Sequence, residues 1–275
     1  MLNEFEQSEW ISVYQQASFN NALAKLGLPN SEITTEDGKK LYFFSWDMDD
    51  PIQTAWEVSS GISLREIVIP GDRMILHLVQ QGNIDEIEWD NLETNSYVTP
   101  IVKGNVGASY SKRYRRSLKK ADPNLRSRQA ETDSQIANAI NFLNGPDHPE
   151  RRDHFNPLFF QSLVLALLAN SVAEVHVVYN ENRPDLLLGS AVVLKSPNQV
   201  NFRWYSNKHE AGIGHFFMQR LIDTFLSKEE INVVNLSGMP QPHEQKTDLS
   251  LKGIAEFKKQ ITDNFVVFSL ASIQR

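Results

Sequence analysis

The sequence predicts an α/β fold in which mixed sheets are flanked by helices. Some stretches carry apolar residues at helical spacing, while others are short β-rich runs bounded by Gly, Pro and Asp-Gly. From residue 110 the elements follow the order helix, strand, helices, consecutive antiparallel-like strands, helix, strand, helix, strand, which layers helices on a mixed sheet. The chain has 275 residues, of which 41% are hydrophobic and 22% charged, enough to bury a substantial core.

The first 108 residues read as helix followed by strands. "EFEQSEWISVYQQA" sets Phe5, Trp10, Val13, Tyr14 and Ala17 at helical spacing, and "KKLYFFSW", "SLREIVIP" and "DRMILHLV" are the β-rich runs after it. "ETNSYVTPIVKGNVGASYS" is poor in charge and reads as a crossing segment between two units, one over residues 1–108 and one over 109–275.

The second unit opens on the helix "YSKRYRRSLKKA", with Ser111 as N-cap and Tyr110, Tyr114, Leu118 and Ala121 as its apolar stripe. The strand "LRSRQAE", the helix "DSQIANAINFLNG", a polar loop and the helix "FNPLFFQSLVLALLAN" follow. "AEVHVVYNE", "DLLLGSAVVLK" and "QVNFRWYSN" are three strands in succession. A helix from Gly214 to Ser227, the strand "INVVNLSG", the helix "LSLKGIAEFKKQI" and the strand "NFVVFSLAS" complete the chain.

Net charge is −7, unevenly spread: residues 112–128 hold eight Lys and Arg against one acid, which makes that stretch +7 and the rest −14. So acidic a body does not bind nucleic acid broadly, and any polyanion contact is confined to the basic helix. Either Arg115 and Arg116 belong to a solvated face or they meet a polyanion. There is no cysteine, which removes disulfides and thiolate chemistry. The acidic start lacks a secretion signal, and the longest unbroken apolar run, Leu163 to Ala169, is too short for a bilayer, so a cytoplasmic protein without a membrane span is expected. His148 and His154, beside Asp147 and Asp153, fit no common zinc spacing, and no metal is expected. The absence of Gly-x-Ser-x-Gly, a Walker loop and His-Glu-x-x-His argues against α/β-hydrolases, P-loop NTPases and common zinc proteases.

"HEAGIG", residues 209–214, lies between a strand and a helix. Glycines let backbone approach a diphosphate, and the free amides of a helix start favour an anion; the same residues also suit a plain tight turn. On "VNFRWYSN", Arg203 and Tyr205 alternate with Phe202 and Trp204. On a helical wheel Lys258 falls at the edge of the stripe Leu251, Ile254, Phe257 and Ile261, where a lysine either snorkels or acts.

The strand, the glycines and the helix resemble the pyrophosphate loop of the GCN5-related N-acetyltransferase (GNAT) superfamily, Gln/Arg-x-x-Gly-x-Gly/Ala, with His209 where Gln or Arg is usual. "YSKRYRRSLKKA" is similar to the helix opening the second half of FemABX-like peptidyltransferases, and "LKGIAEFKKQITDNFVVF" to their closing segment, matching at Phe257 and Lys258. The glycine of that segment is absent; Thr262-Asp263-Asn264 stands there. The resemblance spans roughly residues 109–270 and implies two GNAT-like halves, the first degenerate and the second better defined.

It further implies transfer of an acyl group from acetyl-CoA or another acyl-CoA to a small-molecule or peptide amine, with no metal. The donor would be held by His209, Gly212, Ile213, Gly214 and His215. Lys258 and Tyr205 are the implied catalytic residues, and Arg203, Phe257, Arg115 and Arg116 would contact substrate. The alternative is a FemABX-like enzyme that uses aminoacyl-tRNA to extend a cell-wall precursor. A third reading is a non-catalytic GNAT-fold binding protein.

Overall fold

The computed structural model describes residues 12–35, 38–46, 53–58, 73–83, 97–104, 110–145, 156–240, 244–245 and 248–274. Phe5 and Trp10, the expected strand at 63–70, the loop of His148 and His154, and the expected boundary between residues 108 and 109 lie outside these. The expected α/β architecture is borne out. Eleven strands among the described residues form one continuous order, β1-β2-β3-β4-β11-β5-β10-β9-β8-β7-β6.

The first half contains a 3-10 turn at Val13–Gln15, α1 (Ala17–Lys25), β1 (Asn30–Thr34), β2 (Lys40–Phe44), β3 (Gln53–Val58), β4 (Arg73–Asn83) and β5 (Tyr97–Val102). Where the described residues reach it, from Ser12 on, the expected first helix is corrected. Gln16 is extended (φ −100°, ψ 135°), which ends the turn at Gln15 and starts α1 at Ala17. The expected crossing segment is in part a strand: β5 joins the two sheets, pairing with β11 on one side and β10 on the other.

The second half runs α2 (Lys112–Leu118), β6 (Leu125–Gln129), α3 (Asp133–Asn144), α4 (Pro157–Ala169), β7 (Ala173–Asn180), β8 (Arg183–Lys195), β9 (Gln199–Asn207), α5 (Ile213–Leu226), β10 (Val233–Asn235), α6 (Leu249–Lys259) and β11 (Asn264–Gln274). Helix starts follow local chemistry. Ser111 accepts a hydrogen bond from Tyr114 N, Thr132 and Gln135 make a capping box, and Asn156 precedes Pro157 at the first turn of α4.

Alternation along β7 to β9 feeds two cores. Val175, Val177, Val192, Leu194 and Trp204 face α1, α3 and α4. Val178, Ala191, Val193 and Phe202 face the other way, onto α5 residues Phe217, Leu221 and Phe225, with Tyr114 of α2 and Ile261 just beyond α6. The first core contains Phe19 and Leu23 of α1, so the N-terminal half contributes directly to packing on the second sheet.

Candidate functional site

The site is built where β9 leaves its neighbours. β10 runs parallel to β9 only through Val233↔Gln199, Val234↔Val200 and Asn235↔Asn201, whereas β9 continues to Asn207. Beyond Asn201, β9 therefore has β8 on one side and, among the described residues, no strand paired on the other. Within this stretch Val192 pairs with Trp204 and Val193 with Phe202, leaving Arg203 as an extra, bulged residue. A bulge twists a strand and takes backbone groups out of the ladder.

Ser237 crosses the mouth of this notch in the left-handed region (φ 63°), which a non-glycine residue adopts only when its surroundings fix it. Its N–H donates to Asn235 Oδ1 (2.7 Å), and its hydroxyl lies 2.7 Å from both Phe202 O and Asn201 Oδ1. Lys258, buried at 9% exposure, donates from Nζ to Ser237 O (3.1 Å) and Gly238 O (2.7 Å). The lysine at the edge of the helical stripe is thus neither snorkelling nor open to solvent; it closes the turn after β10.

At the far end of β9 the glycine turn caps α5. Gly212 is left-handed (φ 84°), and a Cβ there would lie 2.7 Å from both the N and the Cα of Ala121, so the turn that follows α2 packs directly on it. The nearest neighbours of a Cβ on Gly214 would be the side-chain amide atoms of Asn207, at 3.2 Å. Ile213 N donates to Glu210 O (3.3 Å), but the N–H groups of Gly212, Gly214 and His215 find no acceptor among the described residues. They are the unsatisfied donors of a 14-residue helix, at its positive end.

Two tyrosines hold this turn. Tyr205 donates to Gly214 O (2.9 Å) and stacks on Phe217, while Tyr114 donates to His215 O (2.9 Å). Burial pushes the Tyr205 hydroxyl far above its ordinary range, so it stays protonated and keeps this bond. The His215 ring packs against Tyr114 and Phe257, at 4.9 and 5.1 Å, and burial depresses its basicity.

The expected residues therefore fall into four places. Gly212, Ile213, Gly214, His215, Tyr205 and Phe257 gather around the first turn of α5, with the Ile213 side chain in the core. Lys258 stands at the notch, and Arg203 is the bulge itself, with its guanidinium stacked on Trp46 (5.5 Å) and Trp204 (5.4 Å). His209 lines an open cavity beside the turn. Arg115 and Arg116 are exposed on α2. Sequence reasoning missed Asn201 and Asn235, whose only signal is an asparagine at matching positions of two apolar strands.

No family model matches the sequence, and no curated protein is similar to it. Solved structures are similar in fold. FemX superposes with a TM-score of 0.60 at 11% identity, covering 94% of this chain and 91% of FemX. The fold is the tandem GNAT-like fold. A tandem GNAT protein from the clavulanic acid biosynthesis pathway superposes with a TM-score of 0.52 at 8% identity, over 94% of this chain and 87% of that one. L-PGS from Bacillus licheniformis reaches 0.51 at 9% identity, over 93% and 92%. In this GNAT-like frame the bulge, the notch and the glycine turn lie in sequence along β9 and the start of α5. Among the described residues no group of side chains is arranged to hold a metal, and no helix is long and apolar enough to cross a membrane.

Proposed function

We propose that the protein is an N-acyltransferase that moves an acyl group from an acyl-CoA to an amine. The observation that carries this reading is the set of unpaired N–H groups of Gly212, Gly214 and His215 at the start of α5, directly after a strand whose edge is open. Such amides suit the diphosphate of the donor, and the open edge of β9 suits an extended, amide-bearing arm running from the turn to the notch.

When bound, the donor supplies an activated thioester carbonyl. The amine nitrogen forms the C–N bond as the C–S bond breaks, and the proton lost by the amine ends on the sulfur or on water. The chain has to hold the two reactants in line, which by itself is worth up to roughly 7–11 kcal/mol in favourable cases. In this reading a backbone N–H of β9 near the Arg203 bulge would polarise the carbonyl. Tyr205 and Lys258, expected from sequence as catalytic, act in this reading as positioning residues. Their donors are engaged by Gly214 O, and by Ser237 O and Gly238 O. Cytoplasmic location belongs to the same proposal.

The FemABX-like reading, with aminoacyl-tRNA as donor, is favoured by the exposed Lys and Arg of α2, among them Arg115 and Arg116.

A thermal-shift titration with acetyl-CoA, CoA and a tRNA pool separates the two. A ligand at about 100 times its Kd stabilises by roughly 2.7 kcal/mol, at about 2–4 °C per kcal/mol for a chain of this size. The expected result is a shift with CoA species that disappears in Gly214→Val, whose own melting temperature stays near wild type. An unchanged CoA affinity in that variant removes the glycine turn from the donor site. Binding to tRNA alone, lost on replacing Arg115 and Arg116 by Gln, moves the chain to the second reading.

A further inference from the structure

A cavity of about 690 Å³ opens beyond the end of β9, a volume in the range of small-molecule sites. Its walls come from three elements: Phe142 of α3, Asp185, Leu186 and Leu187 at the start of β8, and Lys208 and His209 after β9. Asn207 lines it too, and the same side chain packs against Gly214, so the cavity adjoins the glycine turn.

Its charges are arranged unusually. Lys208 N donates to Leu188 O (2.8 Å), which places Lys208 opposite Leu188. Asp185 lies three residues further out on the strand, about 10 Å away at ~3.3 Å per residue. One carboxylate and one ammonium thus border the same cavity from separate positions. They make no ion pair with each other, and neither is paired with another described residue. The rest of the lining sets Phe142, Leu187 and Leu186, the last a large hydrophobic side chain left 39% exposed, beside Asn138, Gly145 and Asn207.

A ligand carrying one charge leaves the other wall charge without a partner, whereas a ligand carrying both satisfies the two together. We propose that this cavity binds a zwitterionic amino compound, an α-amino acid or short peptide with an apolar side chain. Its ammonium meets Asp185, its carboxylate meets Lys208 and His209, and its side chain lies on Phe142, Leu186 and Leu187. As the acceptor class, the inference rests on the acyltransfer reading; as a binding site, it can be measured without a donor.

The test is calorimetric titration of the full chain with L-leucine, leucyl-leucine, L-leucinamide and N-acetyl-L-leucine, for wild type, Asp185→Asn and Lys208→Gln. Asp185 is exposed and Lys208 half-buried, so both variants should fold, which circular dichroism checks. Leucine or its dipeptide should bind at least about tenfold tighter than either single-charge analogue, the worth of one charge-assisted hydrogen bond. Asp185→Asn should erase the preference over N-acetyl-leucine, and Lys208→Gln that over leucinamide. Equal binding of all four probes, no loss in either variant, or a Kd weaker than about 10 mM for both zwitterions overturns the proposal. Titrating the same samples with CoA keeps the failures apart. Zwitterion binding without CoA binding removes the donor reading and leaves the cavity, and the converse removes the cavity alone.

Discussion

The two glycines of the turn do different work. At Gly212 an added methyl would meet the backbone N and Cα of Ala121 at 2.7 Å, and φ of 84° disfavours any side chain there. Backbone cannot step aside as a flexible side chain can. Gly212→Ala should therefore lose roughly 2–4 kcal/mol, combining left-handed strain with overpacking. Gly214→Ala presses most closely on the far end of Asn207, at 3.2 Å, and should cost less than about 1 kcal/mol. Urea denaturation of both variants measures the difference, and equal losses would mean that the turn after α2 is not seated on Gly212. The motif is one string in the sequence, yet its first glycine answers to backbone packing and its second to the end of one side chain.

Elements are tied at their other ends by a charge cluster that the functional reading does not use. Glu174 of β7 is 7% exposed; its Oε1 lies 2.8 Å from Lys195 Nζ of β8 and 3.5 Å from Lys228 Nζ past α5, and its Oε2 lies 3.0 Å from His176 Nε2. Burial raises its pKa, but the bonds from His176 and Lys195 and the charge of Lys195 outweigh this and hold it down to about 2, against an ordinary 4.5. A depressed carboxylate contributes stability above pH 4.5 that drains as pH falls towards 2. The full shift is worth about 3 kcal/mol, discounted to roughly 2 because Lys195 and Lys228 remain partly solvated. Glu174→Gln should be destabilised by that amount at pH 7, and most of its deficit should be gone by about pH 2. A deficit that stays constant with pH would assign the cost to packing. Three such strands and α5 were legible because apolar alternation and helical spacing are local. β1, "NSEIT", was not, being a polar edge strand that alternates exposed and half-buried. The bulge at Arg203 and the left-handed Ser237 were also hidden, because both depend on register between strands distant in sequence. Lys258 was placed at a stripe's edge, and nothing in the sequence indicated that the carbonyls of Ser237 and Gly238 would draw it inside.

At the scale of the whole molecule the halves are not separable in the way two consecutive units would be. β11, the last strand of the chain, pairs antiparallel with β4 of the first half along eleven positions, from Asn264↔Asn83 to Gln274↔Arg73, and with β5 through Phe265 to Phe268. On the other face Trp46 meets Trp204 at 6.4 Å, and α1 shares a core with α3 and α4. Ending the chain at Asp263 should therefore damage the half that was not cut: β4 and β5 lose the strand between them, and β4 is left as an unpaired edge that invites association. Wild type should unfold in one transition, with tryptophan fluorescence (Trp10, Trp46, Trp56 and Trp89 in the first half, Trp204 in the second) coincident with far-UV circular dichroism. The truncated chain should lose that coincidence and aggregate on light scattering. A truncated protein that keeps the wild-type midpoint by both probes would show that β11 only decorates the sheet, and that the tie between halves resides in the aromatic contact of Trp46 and Trp204.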